Sequence, residues 1–392
     1  MSLSLLAFVA FCAACNALDN GLARSPPMGW NTYNFFKRNY NEAVIIETAQ
    51  ALVETGMRDR GYVYVNIDGG WWEGVGTGTA IRNSSGYLEY DKKRFPSGML
   101  AISNYIHSLD LKFGMYTDAG ERFCNRDKNA SQGHETQDAE LFASWGADYV
   151  KVDACRTTES PEILMNRWKN ALNATKRPMV FSNCLNNCTL VPNTWHSWCP
   201  VDSNLWRTCE DIDNNWEAVM TNLDSVANAG KKGAPGGWND PDMLEVGNPG
   251  LSVIESRSHF SLWCITSAPL IAGNDIRNMT KDITEILTNA EAIRINQEYA
   301  GNAGQRVHTT STTEIWYKPL PNSEHAVILF NRAGKTSTTI TASWKLFNLE
   351  DKTECKATNI WNQTEVEIKV SDHIQRSVGV HDVAFFRLTD CT

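Results

Sequence analysis

Several short apolar runs in this chain stop at a carboxylate. Tyr62-Val-Tyr-Val-Asn-Ile67 precedes Asp68, Leu111-Lys-Phe-Gly-Met-Tyr116 leads to Asp118, and Asp148-Tyr-Val-Lys-Val152 precedes Asp153. Runs this apolar read as parallel strands covered on both faces, whose last side chains emerge at the C-terminal edge of a sheet. Between them, polar and apolar residues mix at helical spacing. From Asn41 to Thr55 the apolar positions are Ala43, Ile46, Ala49, Ala51 and Val53, with Gly56 as a stop. Further helices are predicted at Gly98 to Leu109, Thr136 to Trp145, Ser160 to Leu172, Asn215 to Ala229 and Val253 to Thr266. Strand and helix alternate at about 30 to 40 residues per unit, the signature of a βα-barrel. With Met28-Gly-Trp-Asn-Thr-Tyr33 as the first strand, and strand ends near Ser182, Asp211, Asp240 and Asn274, the pattern closes at eight.

The texture changes beyond Gly301-Asn-Ala-Gly304. Glu314-Ile-Trp-Tyr317, Ala326-Val-Ile-Leu-Phe330, Ser337-Thr-Thr-Ile-Thr341 and Val383-Ala-Phe-Phe386, separated by turn residues, predict an antiparallel β domain. The expected fold is therefore α/β, a (β/α)8 barrel over residues 18–303 followed by an antiparallel β domain over 304–392.

Met1 to Phe11 is apolar but too short to span a bilayer, and it is followed by the small residues Ala13-Ala14-Cys15-Asn16-Ala17. Residues 1–17 read as a secretory signal peptide. No later segment reaches ~18 consecutive apolar residues, so no other part is expected to cross a membrane. Six Asn-x-Ser/Thr sequons, at Asn83, Asn129, Asn173, Asn187, Asn278 and Asn362, point to the same secretory route, ending outside the cell or in a lysosome.

The 392 residues include 36 Lys and Arg against 45 Asp and Glu, a formal charge of −9. Such a chain, with no basic run, lacks the charge to neutralise phosphates or adhere to anionic lipid, which argues against nucleic-acid and membrane partners. Of 11 cysteines, Cys12 and Cys15 leave with the leader, and the remaining nine contain no CxxC pair, which argues against a zinc site. An odd count requires a free thiol. Cys264, inside the apolar run Phe260-Ser-Leu-Trp-Cys-Ile265, is the expected one, leaving eight cysteines for four bridges. Cys355 and Cys391 both fall in the β domain and are candidates to pair; Cys184, Cys188, Cys199 and Cys209 are left unassigned.

In βα-barrels the active site is built at the C-terminal ends of the strands. The polar groups there are Asp68, Tyr116, Asp118, Lys151, Asp153, Arg207, Asp211, Asp240 and Asp242. A plain N-cap role is the expectation for Asp118 and an even alternative for Asp240. Lys151 and Asp153 lie two apart, so one strand points both towards the barrel mouth. A cation beside a carboxylate keeps it ionised and nucleophilic. Arg207-Thr-Cys-Glu-Asp211 supplies a second carboxylate beside an arginine, and Gly236-Gly-Trp-Asn-Asp-Pro-Asp242 a third cluster. Two separated carboxylates among aromatic side chains are what retaining glycoside hydrolysis requires.

These motifs resemble the melibiases, glycoside hydrolase family twenty-seven of clan D, which contains lysosomal α-galactosidase and α-N-acetylgalactosaminidase. The similarity runs through Leu18-Asp-Asn-Gly-Leu-Ala-Arg24, Pro27-Met-Gly-Trp30, Arg94-Phe-Pro96, Gly114-Met-Tyr116, Lys151-Val-Asp153, Asp211-Ile-Asp213, Pro235-Gly-Gly-Trp-Asn-Asp-Pro-Asp-Met-Leu244, Ala268-Pro-Leu270 and Ile295-Asn-Gln297. The resemblance implies a nucleophile at Asp153 and a general acid/base at Asp211. It implies sugar contacts or pocket walls from Trp30, Asp68, Trp71, Tyr116, Lys151, Arg207 and Asp242, and a disulfide between Cys124 and Cys155. It implies a carbohydrate substrate and no cofactor or metal, and related enzymes are often homodimers.

Two departures bear on specificity. Where α-galactosidases carry Asp-Asp-Cys-Trp, this chain has Asp68-Gly69-Gly70-Trp71, so an axial O4 loses a carboxylate partner. The cysteine missing at Gly70 is matched by one missing near Arg38, and a Gly- and Thr-rich insertion, Glu73 to Ser85, follows; Trp72 or Glu73 is placed to refill the pocket. The loop that reads O2 is replaced by Ser182-Asn-Cys-Leu-Asn-Asn-Cys188. The expected activity is release of terminal α-D-galactose through a covalent glycosyl-Asp153 intermediate. The alternatives are the same machinery on another pyranose (an isomalto-dextranase, β-L-arabinopyranosidase, α-N-acetylgalactosaminidase or galactosyl transferase) or a lectin-like sugar binder.

Overall fold

The computed structural model describes residues 18, 20–185, 198–229, 233–333, 335–350, 353–362 and 368–392. The leader segment, the Asn187 sequon and Cys188 lie outside the described residues.

Eight parallel strands form one sheet: β1 (Met28–Asn31), β2 (Tyr64–Asn66), β3 (Lys112–Asp118), β4 (Tyr149–Asp153), β5 (Val180–Cys184), β6 (Leu205–Arg207), β7 (Trp238–Asp240) and β8 (Leu270–Ala272). Their order is β7-β6-β5-β4-β3-β2-β1-β8. The gap between β7 and β8 is closed just beyond β7, where Leu244 N–H donates to Ile271 O at 2.8 Å and Leu244 O accepts from Gly273 N–H at 3.0 Å. Most of these strands are buried along their whole length because helices cover the outer face and side chains fill the interior.

All six helices expected from periodicity are present, with ends within two residues of the expected ones: α2 (Glu42–Glu54), α3 (Met99–Ser108), α4 (Glu135–Ser144), α5 (Pro161–Ala174), α7 (Trp216–Ala229) and α8 (Val253–Ile265), alongside the one-turn helices α1 (Tyr33–Phe36) and α6 (Cys199–Asp202). Local chemistry sets their starts. The Asn41 side chain accepts Val44 N–H, and Ser252 with Glu255 forms a reciprocal capping box, each satisfying donors the helix itself leaves unpaired. The strand of Arg207-Thr-Cys-Glu-Asp211 stops earlier than the sequence suggests: β6 ends at Arg207, and Asp211 stands four residues further on, in the loop.

From Gln305 onward the chain is antiparallel. A six-stranded sheet runs β14 (Ile368–Ser371), β13 (Glu354–Asn359), β16 (Val383–Thr389), β11 (Glu324–Asn331), β10 (Thr313–Leu320) and β9 (Gln305–Thr309), with β12 (Thr338–Ser343) and β15 (His373–Val378) as a separate pair. One apolar cluster runs continuously from the barrel into this sheet through Trp316, Leu320, Ile328 and Phe330. Charged groups pin the same junction: Arg306 and Arg332 each bind both Asp224 of α7 and the fully buried Glu314.

Cys124–Cys155 and Cys355–Cys391 are disulfides, and Cys199 is also disulfide-bonded. The expectation of four bridges fails: Cys184 and Cys209 are buried free thiols alongside Cys264. Both sit on strands or loops of the inner barrel, where each is held against Arg207 or Thr208 rather than a second cysteine. Among the described residues no helix is long and apolar enough to cross a membrane.

Candidate active site

The C-terminal ends of β1 to β7 open into a cavity of about 640 Å³. Asp68, Tyr116, Lys151, Asp153, Asp211 and Asp242 all line it, together with the Cys124–Cys155 disulfide. Strand register explains the convergence: Tyr116 pairs with Lys151 and Asp118 with Asp153 across β3 and β4, so side chains of like parity share a level of the barrel.

Asp153 is the centre of this group. Its Oδ2 accepts the Tyr116 hydroxyl at 2.6 Å, and the Cys184 thiol also donates to it. The sulfur of Cys124 lies 3.2 Å from the same oxygen, so the disulfide packs directly on the carboxylate and joins the loops after β3 and β4. Burial pushes the Asp153 carboxyl up; Lys151, Tyr116 and Cys184 pull it back, and the balance remains above the usual range. The cation expected to keep Asp153 ionised is committed elsewhere: Lys151 Nζ pairs with Asp68 Oδ2 at 2.9 Å, and Asn31 Nδ2 donates to the same oxygen at 2.8 Å. Lys151 therefore acts on Asp153 through space.

Asp118 is no N-cap. It is fully buried, its Oδ1 takes Gly120 N–H at 2.8 Å, and α4 is preceded by His134 instead. Burial and the charge of Asp153 drive its carboxyl well above the ordinary range. The two carboxyls therefore oppose each other's ionisation and titrate as a pair. Asp240 is likewise not a cap: its Oδ1 accepts Asp242 N–H at 2.9 Å, and burial lifts it to about 6.

Arg207 organises the opposite carboxylates from behind the wall. The guanidinium is 1% exposed and reaches Asp242 Oδ2 at 3.0 Å, Asp211 Oδ1 at 3.1 Å and Cys184 Sγ at 3.1 Å. Asp242 is further fixed by Ile212 N–H at 2.9 Å and Met243 N–H at 2.8 Å, with its own backbone at φ 78°, a left-handed conformation uncommon for a residue other than glycine. Asp211 is open to the mouth, with its side chain 76% exposed. Partial desolvation pushes its carboxyl up, but Arg207, Lys151 and Lys37 pull it further down, and it ends below the usual range.

Trp30 and Trp71 are both fully buried and lie outside the cavity lining. Trp30 Nε1 is tied to Asn274 O at 2.8 Å, and Trp71 Nε1 to Tyr116 O at 2.9 Å. Tyr33 and Trp72 line the cavity instead, Trp72 with only 1% of its surface exposed, stacked on Phe123 with ring centroids 3.7 Å apart and donating Nε1–H to Asp127 Oδ2 at 3.0 Å. Glu73 of the insertion does not reach the cavity. Tyr33, Lys37, Arg38 and Met243 also line it and were missed from the sequence. The loop after β1 must open at the same face as the other strand ends, and that topological fact was the available signal.

Asp118, Asp153 and the sulfurs of Cys124 and Cys155 lie within 4.8 Å of one another. The two sulfurs are bonded to each other, so this donor set does not fit a metal ion.

Comparison with known proteins agrees with this architecture. A melibiase family model described as alpha galactosidase A matches residues 25–298, and one for the alpha galactosidase C-terminal beta sandwich domain matches residues 310–388. An alpha-galactosidase of Cyamopsis tetragonoloba is 40% identical over 375 residues, 95% of this chain and 88% of that protein. The crystal structure of alpha-galactosidase I from Mortierella vinacea superposes with a TM-score of 0.85 at 31% identity, covering 95% of this chain and 98% of that one. The Saccharomyces cerevisiae α-galactosidase with raffinose superposes at 0.83 with 25% identity, covering 95% and 99% of the two chains. Matched over most of its length by the family's barrel and β-sandwich alike, the chain belongs to the melibiases, the α-galactosidase family of glycoside hydrolases.

Proposed function

We propose that the chain is a retaining exo-glycosidase that hydrolyses terminal α-D-galactosides. The observation that carries this reading is the meeting of Asp153 and Asp211 in one cavity, the first held by Tyr116 and the second by Arg207. In the first step an Asp153 oxygen attacks the anomeric carbon while the C1–O bond breaks and Asp211 gives its proton to the departing oxygen. In the second, Asp211 takes a proton from water, whose oxygen attacks C1 and releases Asp153. Asp211 begins below the usual carboxylate range, and a sugar entering the mouth strips water from it. Desolvation is already its largest single influence, so substrate moves it towards proton donation.

Asp68 and Lys151 offer a paired acceptor and donor for sugar hydroxyls, Tyr116 and Trp72 an aromatic wall, and Asp242 a rigid acceptor fixed by Arg207. The α-galactosidase relatives and the raffinose-bound yeast structure support a galactoside as substrate. A second reading, the same chemistry on another pyranose, is favoured by Gly69, which packs against the Tyr116 ring and offers O4 no carboxylate.

The same proposal assigns residues 1–17 to a cleaved leader, 18–303 to the catalytic barrel and 304–392 to a β domain, in a secreted or lysosomal glycoprotein. Two disulfides and exposed asparagines at positions 83, 129, 173, 278 and 362 support an oxidising, glycosylating route.

The test is hydrolysis of matched nitrophenyl glycosides (α-galactoside, α-N-acetylgalactosaminide, α-glucoside and β-L-arabinopyranoside) with Asp153→Asn as the blank. Preference for the α-galactoside, lost in Asp153→Asn, is expected. Preference for another sugar overturns the substrate, and binding without turnover overturns the enzyme.

A further inference from the structure

We propose that the cavity is built for galactosides carrying an anionic group at C6, a sulfate ester or a carboxylate, bound by Arg38 and Lys37. This names the substrate class of the site above and rests on that reading. Three sequence departures form one arrangement in the structure. A Cβ at Gly69 would crowd Tyr116 Cε1 at 3.2 Å, so the tyrosine ring packs on this residue, which brings no carboxylate to the wall. Gly70, at φ 116°, lies beneath Arg38: a Cβ there would come within 2.9 Å of both Arg38 Cβ and Cγ. The arginine stem can rest on position 70 only because that residue has no side chain.

The cross-link lost with the two cysteines is supplied differently. The Arg94 guanidinium donates to Gly70 O, to Arg38 O at 2.6 Å and, through Nε, to Tyr40 O at 2.9 Å. One half-buried fork thus ties the loop after β1 to the loop after β2 and fixes where Arg38 begins. Lys37, beside it, adopts φ 52° and ψ −119°, a conformation costly for a residue with a Cβ and of the kind retained at functional sites. Its ammonium lies 5.2 Å from the centre of the Tyr33 ring.

Charge accounting singles these two cations out. Lys151 is paired with Asp68, and Arg207 with Asp211 and Asp242. Lys37 and Arg38 line the same cavity, are exposed to it, and form no ion pair among the described residues, Lys37 acting on Asp211 and Glu245 only through space. This edge carries the cations of Lys37 and Arg38, and position 69 brings no carboxylate to face them. A hydroxymethyl group gives two cations nothing to neutralise, whereas a sulfate or carboxylate takes charge-assisted bonds from both, with the arginine fork suited to two of its oxygens.

The experiment compares kcat/KM for nitrophenyl α-galactoside, its 6-sulfate and nitrophenyl α-galacturonide in the wild type, Arg38→Gln, Arg38→Lys and Lys37→Gln. Calorimetry alongside reads galactose, galactose 6-sulfate and galacturonic acid binding to Asp153→Asn. One anionic form is expected to exceed the neutral one by on the order of tenfold. That ratio should fall in both Gln variants and in high salt, and recover in part in Arg38→Lys. Which anion leads identifies sulfate or carboxylate. A neutral sugar handled as well as both anions, or a ratio indifferent to Arg38→Gln, overturns the proposal. If no glycoside is turned over but galactose 6-sulfate still binds more tightly than galactose, the catalytic reading falls and the anion site stands.

Discussion

Tyr116→Phe isolates one interaction on the proposed nucleophile. The hydroxyl donates to Asp153 Oδ2 at 2.6 Å, a short bond to an ionised acceptor, worth about 1.5–3 kcal/mol. At about 1.4 kcal/mol per pKa unit, its loss raises the Asp153 carboxyl by roughly one to two units. The sign is fixed because the bond favours the charged form; without it Asp153 binds a proton more readily, and the ionised nucleophile is lost at a higher pH on the way down. Packing is not disturbed: the ring stays, and Trp71 Nε1 still donates to the Tyr116 backbone carbonyl at 2.9 Å. The assay is kcat/KM for nitrophenyl α-galactoside across the acid range, with a thermal melt as the control for folding. The acid limb should move up by one to two units on this arithmetic, with a loss of roughly ten- to a hundredfold below it. An acid limb that stays put or moves down refutes the placement of Asp153 as the group that must be ionised.

Asp118→Asn should act in the opposite sense, because it removes a carboxyl whose ionisation competes with that of Asp153: the acid limb of the same profile moves down, and an upward shift contradicts like-charge repulsion between the two. Asp211 is lowered, and the acid form it must supply disappears as pH rises through that value, so the wild-type rate should peak at acidic pH and fall towards neutrality; a rate still climbing above neutral pH removes Asp211 as the proton donor. Glu314→Ala leaves Arg306 and Arg332 facing a hole and strips Trp316 Nε1 of its 2.8 Å acceptor, which should cost about 3–5 kcal/mol and lower the melting temperature by several degrees; an unchanged melt dismisses this network as a structural pin. Thiol titration of the denatured, unreduced protein should find Cys184, Cys209 and Cys264 reactive, and protection of Cys184 or Cys209 would restore the four-bridge pattern.

What the sequence made legible, and what it hid, follows from how much neighbouring structure each feature depends on. The strands ending at Asp68, Asp118 and Asp153 announce themselves because a barrel strand buried on both faces must be apolar throughout, and its first polar side chain marks the rim. Helix ends such as Asn41 and Ser252 are equally local, since the cap satisfies donors within one turn. The partners across the barrel are not local. Lys151 lies two residues from Asp153 yet spends its charge on Asp68 of another strand, and Arg207 reaches Asp242 of the next strand as well as Asp211 on its own loop. Adjacent tryptophans show the limit most sharply. Trp71 and Trp72 are chemically identical in the sequence, but their indoles diverge, one donating to Tyr116 O inside the wall and the other lining the cavity against Phe123. Which of them lines the cavity follows from the acceptor each indole N–H meets, the Tyr116 carbonyl for Trp71 and the Asp127 carboxylate for Trp72, and neither acceptor is near in sequence. The disulfide count misled for the same reason. Parity requires one free thiol and no more, whereas Cys184 is a second free thiol, set by its place on β5 against Arg207 and Asp153.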